Sequence, residues 1–155
     1  MLFITVKENF FIPGMTCLVA LLWTYKQRGI AFFIAAVIAI GLADSIGHHL
    51  LKESIQRIRP CHVLPQDIIG MVSCSNSFSF PSNHAVNSFT AATLLSLCFR
   101  NTTFLVFTWA LIVCYSRVYL KVHYPSDVFG GMIFGSAMGY LGYFIYGRVL
   151  KHIKP

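Results

Sequence analysis

The sequence predicts an all-α, integral-membrane helical bundle of about five transmembrane helices plus a short interfacial N-terminal segment. Hydrophobic residues make up 56% of the 155 residues and charged residues only 11%, whereas soluble domains carry about 25% charged residues. The mean hydropathy is +0.67. The uncharged runs are long and the segments between them are short. Any chemistry is therefore expected in surface loops or between helices.

Five runs with at most one charge define the predicted spans. A membrane-spanning helix needs roughly 17–25 mostly apolar residues. The runs cover residues 9–25, 29–51 (with Asp44 as the one charge), 68–99, 101–116 and 128–147. Residues 1–10 are too short and too charged to span, so we expect them to lie in the interface. Together these segments predict a single membrane-embedded domain over residues 1–155.

Prolines and glycines mark the ends of the predicted spans. Gly29 closes the turn between the first two. The second is expected to continue as a helix past the membrane surface and to stop before Pro60, because the residue before a proline disfavours helix. The only sizeable predicted loop covers residues 61–79. Ser82 is expected to cap the third span, and Pro125 fits the first turn of the last.

Two cysteines, Cys61 and Cys74, flank this loop. If the loop faces an oxidising compartment, a disulfide between them would close it; free thiols remain the alternative. A zinc site is less favoured, because these cysteines with His62 do not complete a four-ligand set at the usual spacings.

The formal net charge of +7 indicates membrane orientation rather than nucleic-acid binding. Five spans put Lys26, Arg28, Arg100, Arg148, Lys151 and Lys154 on one side. The other side holds as many basic residues together with all five acidic ones. Cytoplasmic loops are enriched in Lys and Arg, but the two sides carry equal numbers of basic residues. If some basic residues on the mixed-charge side serve a function, the other side is the cytoplasmic one. The sequence then predicts a multi-pass protein of the cytoplasmic (inner) membrane, with a cytoplasmic C-terminus.

Polar residues gather at three span ends that this topology places on the same, extracytoplasmic side. The first cluster is Lys52, Arg59 and Pro60; the second is Pro81, Ser82, Asn83 and His84; the third is Ser116, Arg117, His123 and Asp127. Guanidinium forks match phosphate oxygens and an ammonium acts as a point charge. Backbone N–H groups at a helix start add an anion site. The three clusters together predict a site for a phosphate group.

The two histidines supply the chemistry. A pair of imidazoles can provide the nucleophile and the proton donor that phosphoryl transfer needs. Asp127 lies four residues after His123 and can accept its ring N–H, which would fix the tautomer so that the other nitrogen faces phosphorus. The residues therefore indicate His84 and His123 as catalytic, with Asp127 orienting His123.

These residues resemble the type 2 phosphatidic acid phosphatase superfamily. Its three motifs are a Lys followed seven residues later by Arg-Pro, a Pro-Ser-Gly-His, and a Ser-Arg-x5-His-x3-Asp. Here they read KESIQRIRP (52–60), PSNH (81–84) and SRVYLKVHYPSD (116–127). Each motif alone is weak, but all three in order at membrane-surface helix ends are a specific signal. The resemblance covers the second to fifth spans.

The resemblance implies a mechanism without a metal ion or other cofactor. His123 would attack phosphorus to form a phosphohistidine, and His84 would protonate the leaving group and then activate water. The phosphoryl oxygens would be held by Lys52, Arg59, Arg117, Ser82 and backbone N–H groups that include Asn83. Two features depart from the family pattern: Asn83 replaces a glycine, and the family usually has six spans rather than five. If the backbone at Asn83 needs a positive φ, Asn is among the best-tolerated alternatives.

Other charged residues are not among the defining residues of the motifs. Asp44, His48 and Lys52 recur every four residues and so share a helix face toward the predicted site. Asp44 and His48 are candidates to support that site, with hydrogen bonding between helices as the alternative. Arg57 and Lys121 are expected only to extend to the membrane interface.

The predicted partner is a membrane lipid phosphate, and three substrates stay open: undecaprenyl diphosphate, lipid A 1-phosphate and phosphatidylglycerol phosphate. A pyrophosphate or glycosidic phosphate carrier is slightly favoured. A lipid phosphotransferase would use the same site with another acceptor. A haem-binding or transport protein would use histidine pairs without hydrolysis, but paired axial ligands should face each other within the bilayer. The related vanadate-dependent haloperoxidases are soluble, which the composition disfavours. The residues do not indicate the oligomeric state.

Overall fold

The computed structural model describes residues 19–63 and 74–153, and these residues form helices and connecting turns without a strand. The four long helices are α1 (Gln27–Ser45), α2 (Asn83–Cys98), α3 (Thr103–Tyr119) and α4 (Pro125–Ile153). Shorter pieces are the π-helix Ile46–Lys52, the turns Glu53–Ile55 and Pro60–Val63, and the 3-10 turn Arg100–Thr102. Residues 19–25 are also helical. The rest of the first predicted span and the interfacial segment 1–10 lie outside the described residues.

Three of the described helical segments are long and apolar enough to cross a membrane. They are Gln27–Val63, Arg100–Tyr119 and Pro125–Ile153, with mean hydropathies of 2.2, 1.3 and 1.4. Helix α2 has 16 residues, about 24 Å at 1.5 Å per residue, against a hydrocarbon core of about 30 Å. The predicted membrane-embedded helical bundle is therefore confirmed for these residues, whereas the count of five spans is not.

Helix α2 lies at the centre of the bundle, where it packs against α1, α3 and α4. This position explains its composition. Thr90 and Thr93 are buried against neighbouring helices rather than exposed to lipid, and Thr90 Oγ1 donates to the carbonyls of Val86 and Gly135. A helix surrounded by protein does not need the uniformly apolar surface of a lipid-facing helix.

The predicted continuation of the second span's helix to Pro60 was wrong. The helix stops at Ile55, because Gln56 adopts a left-handed conformation with φ 48°. Pro60 does not follow a helix but begins the short turn Pro60–Val63, as proline's fixed φ allows at a first helical position. Residues 56–59 are therefore non-helical, and the chain leaves the axis of α1 before it reaches Arg57.

Small residues let α4 approach α2 and α1 closely. Gly131, Gly135 and Gly139 recur every four residues along α4 and face α2. A Cβ added at Gly131 would lie 2.9 Å from the Ser82 carbonyl oxygen, and one at Gly139 would lie 2.5 Å from Thr93 Cβ. Helix α1 contributes four fully buried alanines at the same spacing, namely Ala31, Ala35, Ala39 and Ala43. Such small-residue contacts are typical of helix packing in membranes.

We expect Gly135→Ala to destabilise the protein by about 1–3 kcal/mol, the usual cost of overpacking a tight interface. The added Cβ would collide with the backbone carbonyl of Val86, which cannot move without shifting α2. Gly147→Ala on the same helix is the matched control, since a Cβ there meets nothing within 4 Å. Thermal unfolding in one detergent measures both. Equal midpoints for the two variants would contradict the close α2–α4 contact.

Candidate active site

The three motif clusters meet at one end of the bundle, around a pocket of about 850 Å³. Its lining includes Lys52 and Arg59 from the first cluster, Asn83 and His84 from the second, and Arg117 and His123 from the third. One backbone hydrogen bond, from Ser82 N to the Asp127 carbonyl at 3.1 Å, joins the starts of α2 and α4. The antiparallel arrangement of the helices thus brings together residues as far apart in the sequence as Lys52 and His123, 71 positions.

The cations of the pocket are buried and held by carbonyl and hydroxyl groups. Lys52, Arg59 and Arg117 are 3%, 8% and 3% exposed. Lys52 Nζ donates to the Phe78 carbonyl at 3.0 Å, and Arg59 donates to the carbonyl and hydroxyl of Ser77 at 2.7 and 2.9 Å. Among residues 19–63 and 74–153, no carboxylate lies within ion-pair distance of Lys52 or Arg59. Two buried positive charges therefore face the pocket without a direct carboxylate partner in this part of the chain, and Asp44 also lines the pocket without pairing with either of them.

The start of α2 provides an additional polar group. Ser82 occupies the predicted N-cap position in an extended conformation, but its side chain makes no capping hydrogen bond. Its Oγ is buried and has no partner among the described residues. Asn83 is the first helical residue and is not among the residues with positive φ, so this position does not need glycine's conformational freedom.

His123 is oriented by groups on both sides of its ring. Its Nε2 lies 3.3 Å from Arg59 Nη1. Because a guanidinium has only donors, Nε2 must be the acceptor, which assigns the ring proton to Nδ1. Nδ1 lies 3.5 Å from Ser79 Oγ and 3.8 Å from Asp127 Oδ2. The ring therefore presents an unprotonated Nε2 on the Arg59 side and an N–H toward Ser79 and Asp127.

Asp127 is fully buried within a set of donors. It accepts hydrogen bonds from Ser79 Oγ at 2.5 Å, from Tyr124 N at 2.9 Å and from Arg57 Nη1 at 2.7 Å. The 3.8 Å between Asp127 Oδ2 and His123 Nδ1 is longer than a direct hydrogen bond, so the predicted contact between the two residues is indirect. Ser79, which the sequence analysis missed, lies between the two.

The expectation that Arg57 only reaches the membrane interface was wrong. Its guanidinium forms an ion pair with Asp127 and hydrogen-bonds Ser126 Oγ at 2.7 Å, and it lies 4.0 Å from the centre of the Tyr124 ring. The reason is the left-handed Gln56, which turns the chain toward the start of α4. The sequence predicted a helix up to residue 59, and such a helix gives no sign of the Arg57–Asp127 contact. The charge of Arg57 on the mixed-charge side was the only feature of the sequence that could have indicated it.

Asp44 and His48 line the same pocket as Lys52, as their spacing predicted. Asp44 Oδ1 accepts a hydrogen bond from Asn83 Nδ2 at 2.9 Å. This bond links the second motif to a residue outside all three motifs.

Cys61 and Cys74 are joined by a disulfide, with 6.1 Å between their Cα atoms. The bond ties Pro60–Val63 to the segment that carries Ser75 and Ser77, where Ser77 holds Arg59. The ligand atoms of both cysteines and His62 lie within 4.8 Å of one another. Metal binding by cysteine uses the thiolate, however, so this trio is not a zinc site while the disulfide is intact.

Residues 28–151 match the family model of the PAP2 superfamily. The chain belongs to the PAP2 superfamily. All three motifs identified above fall inside the matched range, as do α2, α3, all but the first residue of α1 and all but the last two residues of α4.

Several lipid phosphatases and diphosphatases are similar to this chain. A lipid A 4'-phosphatase of Bacteroides thetaiotaomicron is 35% identical over 81% of this chain and 58% of its own length. An undecaprenyl-diphosphatase of Sulfolobus acidocaldarius is 32% identical over 87% of this chain and 63% of its own length. The chain thus spans only about three fifths of these two relatives.

A solved PAP2 structure shares the fold. The phosphatidylglycerolphosphate phosphatase of Bacillus subtilis superimposes with a TM-score of 0.65 at 26% identity, over 90% of this chain and 70% of that protein. That protein is a transmembrane PAP2 phosphatase, in agreement with the membrane-embedded bundle found here.

Proposed function

We propose that this PAP2 chain hydrolyses the phosphate or pyrophosphate headgroup of a membrane lipid through a phosphohistidine on His123. The observation that carries the proposal is the position of His123 Nε2, an unprotonated nitrogen 3.3 Å from the Arg59 guanidinium in a cationic pocket. An anionic phosphoryl group bound by Arg59 would lie beside a neutral nucleophile. The names of the relatives, which are lipid phosphatases and diphosphatases, support the same activity.

The first step forms the bond between His123 Nε2 and phosphorus. The bond from phosphorus to the leaving oxygen breaks, and His84 gives that oxygen its proton. The imidazole becomes positively charged, and its Nδ1–H faces Ser79 and the Asp127 carboxylate. Lys52, Arg59, Arg117, Ser82 and the N–H groups at the start of α2 stabilise the charge on the phosphoryl oxygens.

The second step releases the phosphate. His84, now neutral, takes a proton from water, and the resulting hydroxide attacks phosphorus. The bond from phosphorus to Nε2 breaks, and inorganic phosphate leaves with His123 neutral again. The protein cations supply the charge stabilisation in both steps, so the proposed mechanism requires no metal ion or other cofactor.

We also propose an orientation of this chain in the membrane. The site would face the periplasm or exterior of the cytoplasmic membrane, and the C-terminus would be cytoplasmic, with five spans in one domain. Arg148 and Lys151 lie near the end of α4, and Asp127 lies in its first turn. Basic residues at the end of α4 opposite the site agree with the enrichment of Lys and Arg on the cytoplasmic side.

The proposed function is tested by phosphate release from the full chain in detergent, with EDTA present. The panel contains undecaprenyl diphosphate, lipid A and phosphatidylglycerol phosphate. Release from at least one of them, without an added acceptor, is the expected result. Turnover that requires a second lipid would indicate a phosphotransferase, and no release from any lipid would refute the proposal.

The activity should also show a characteristic pH profile. Burial lowers the pKa of His123 below its ordinary value of 6.5, because the charged imidazolium is disfavoured away from water. The contact with Asp127 raises this pKa, whereas Arg59 and Lys52 lower it further. The neutral ring is the nucleophile, so kcat/KM should stay constant as the pH is lowered to 6.5. Below the lowered pKa of His123, kcat/KM should fall about tenfold per pH unit.

At alkaline pH, kcat/KM should fall again as His84 loses the proton that it donates. Initial rates between acid and alkaline pH, each checked for enzyme stability, would measure both limbs. An acid limb centred above pH 6.5, or a rate that rises without falling, would contradict the assigned roles.

A further inference from the structure

The guanidinium of Arg59 is held by a segment far from it in the sequence. Arg59 lies in the non-helical residues 56–59, so no helix of its own fixes its position. Its Nε and Nη2 donate to the carbonyl and the hydroxyl of Ser77. Its Nη1 donates to the Val122 carbonyl and lies beside His123 Nε2, both at 3.3 Å. The position of Ser77 therefore determines where the guanidinium meets the nucleophile.

The segment that carries this serine depends on contacts with other parts of the chain. Residues 74–79 are non-helical. The second half of the segment has two backbone contacts: the Phe78 carbonyl accepts from Lys52 at 3.0 Å, and Ser79 N donates to the Arg57 carbonyl at 2.7 Å. These contacts lie after residue 77, so the first half of the segment needs a tie of its own.

The disulfide supplies this tie. Cys61 is two residues after Arg59, and Cys74 is three residues before Ser77. The S–S bond and the two hydrogen bonds from Arg59 to Ser77 therefore close a small ring. Within this ring the backbone of Arg59 cannot move far from that of Ser77, and the guanidinium stays in place.

The hydrogen bonds that accompany the disulfide are weaker ties. His62 Nε2 donates to the Ser75 carbonyl at 3.1 Å, and the hydroxyls of Ser75 and Ser77 lie 3.1 Å apart. Both contacts are at exposed positions, where water competes for the same groups and reduces what a hydrogen bond contributes. Cys61, in contrast, is 8% exposed and packs against Val122. The disulfide is thus the one of these ties that water cannot replace.

We propose that the Cys61–Cys74 disulfide positions Arg59 for phosphate binding, and that its reduction lowers the affinity of the site for phosphate. The inference rests on the proposed function, in which Arg59 binds the phosphoryl oxygens. In the reduction a dithiol supplies two electrons and two protons. The S–S bond breaks, both cysteines become thiols, and the dithiol is oxidised to its own disulfide. An oxidising compartment preserves such a bond, in agreement with the proposed extracytoplasmic site.

The effect of reduction should be graded rather than complete. The contacts of Phe78 and Ser79 do not involve the disulfide, so the segment stays attached while Ser77 gains freedom relative to Arg59. We expect KM to rise about tenfold, the equivalent of one lost hydrogen bond to a charged group. The change in kcat should be smaller than that in KM, because bound phosphoryl oxygens themselves hold the guanidinium.

The test measures kcat and KM of the full chain in detergent before and after incubation with dithiothreitol. The probe is the lipid of the panel above that the wild type hydrolyses fastest, and EDTA keeps metal from the freed thiols. Alkylation and mass spectrometry of a parallel sample establish that Cys61 and Cys74 are reduced. The double variant Cys61→Ser/Cys74→Ser should have the KM of the reduced wild type and no response to dithiothreitol. Cys98→Ala removes a buried free thiol and should respond as the wild type does.

Arg59→Leu shows whether the disulfide acts through this guanidinium. Its KM should already be high, and dithiothreitol should change it less than about twofold, because two changes to one interaction do not add. An unchanged KM in the reduced wild type would refute the positioning role. So would a rise in Arg59→Leu as large as that in the wild type, since the disulfide would then act on another part of the site.

Inorganic phosphate provides a measurement that does not need turnover. It should raise the midpoint of thermal unfolding of the oxidised protein more than that of the reduced protein, because a ligand stabilises the form that binds it more tightly. Equal shifts would refute the inference even if the chain hydrolyses lipid. A larger shift for the oxidised protein, with no hydrolysis of any lipid, would refute the proposed function and support the role of the disulfide in phosphate binding.

Discussion

Replacement of His123 by alanine is expected to reduce phosphate release by at least about 10⁴-fold, as for loss of a catalytic nucleophile or its partner. His123 combines an unprotonated ring nitrogen with contacts to Arg59 and Ser79. The variant should also form no phosphoenzyme. Rapid quenching into alkali, where phosphohistidine survives, followed by mass spectrometry of the wild type and the variant measures both effects.

The matched control is His152→Ala. His152 lies in the last turn of α4, at the opposite end from Asp127, and is exposed; this variant should keep full activity. A phosphoenzyme that persists in His123→Ala would assign the nucleophile to another residue. Equal activity of His123→Ala and the wild type would exclude histidine catalysis at this site.

The sequence could predict which residues form the candidate site because each motif stands at a helix end. Lys52 and Arg117 directly follow two of the long runs that define the predicted spans, and His84 follows the helix-start signal at residues 81–83. Antiparallel helices with short connections must bring alternate ends together, so residues far apart in sequence could be assigned to one pocket. The four-residue spacing of Asp44, His48 and Lys52 placed the first two on the face that lines it.

The sequence could not predict the contacts that depend on local backbone geometry. The interaction of Arg57 with Asp127 requires the left-handed Gln56, and nothing about a glutamine favours that conformation. Ser79 contacts Asp127 because the chain before Pro81 passes beneath the start of α4, where Ser79 N donates to the Arg57 carbonyl at 2.7 Å. Both contacts are between segments, and neither Arg57 nor Ser79 is one of the defining residues of the three motifs.

Hydropathy alone also could not predict the number of spans. Uncharged runs show where a helix could cross, but not where it begins. Residues 68–99 contain no charge, yet α2 starts only at Asn83. The turn at Ser82, which brings His84 to the pocket, limits the length of α2 at its start. The position of the site therefore determines where this helix begins.

Asp127→Asn is expected to lower kcat about 10³–10⁴-fold, the range seen when the acid that orients a catalytic histidine is neutralised. The native carboxylate accepts from Ser79, Tyr124 N and Arg57. An amide has one acceptor oxygen, so at least one of these donors would face an NH2 group. The positive charge that forms on His123 during attack would also lose the carboxylate that stabilises it. Steady-state kinetics in detergent measures the loss, and thermal unfolding shows whether the variant is folded.

Because Asp127 is buried, loss of stability could imitate loss of catalysis, and Arg57 provides the variant that separates them. Arg57 is 37% exposed in its side chain and does not line the pocket. If it acts by holding Asp127, Arg57→Leu should lower kcat by about tenfold, the effect of one lost charged hydrogen bond, with little change in KM. An interaction felt only in the transition state lowers kcat and kcat/KM equally.

Arg59→Leu should instead also raise KM, because Arg59 lines the pocket that receives the phosphate. Arg57→Lys, which keeps the charge near Asp127, should recover part of the lost kcat. A rise in KM for Arg57→Leu would mean that Arg57 contacts the substrate. An unchanged kcat would mean that Ser79 and Tyr124 orient Asp127 without it.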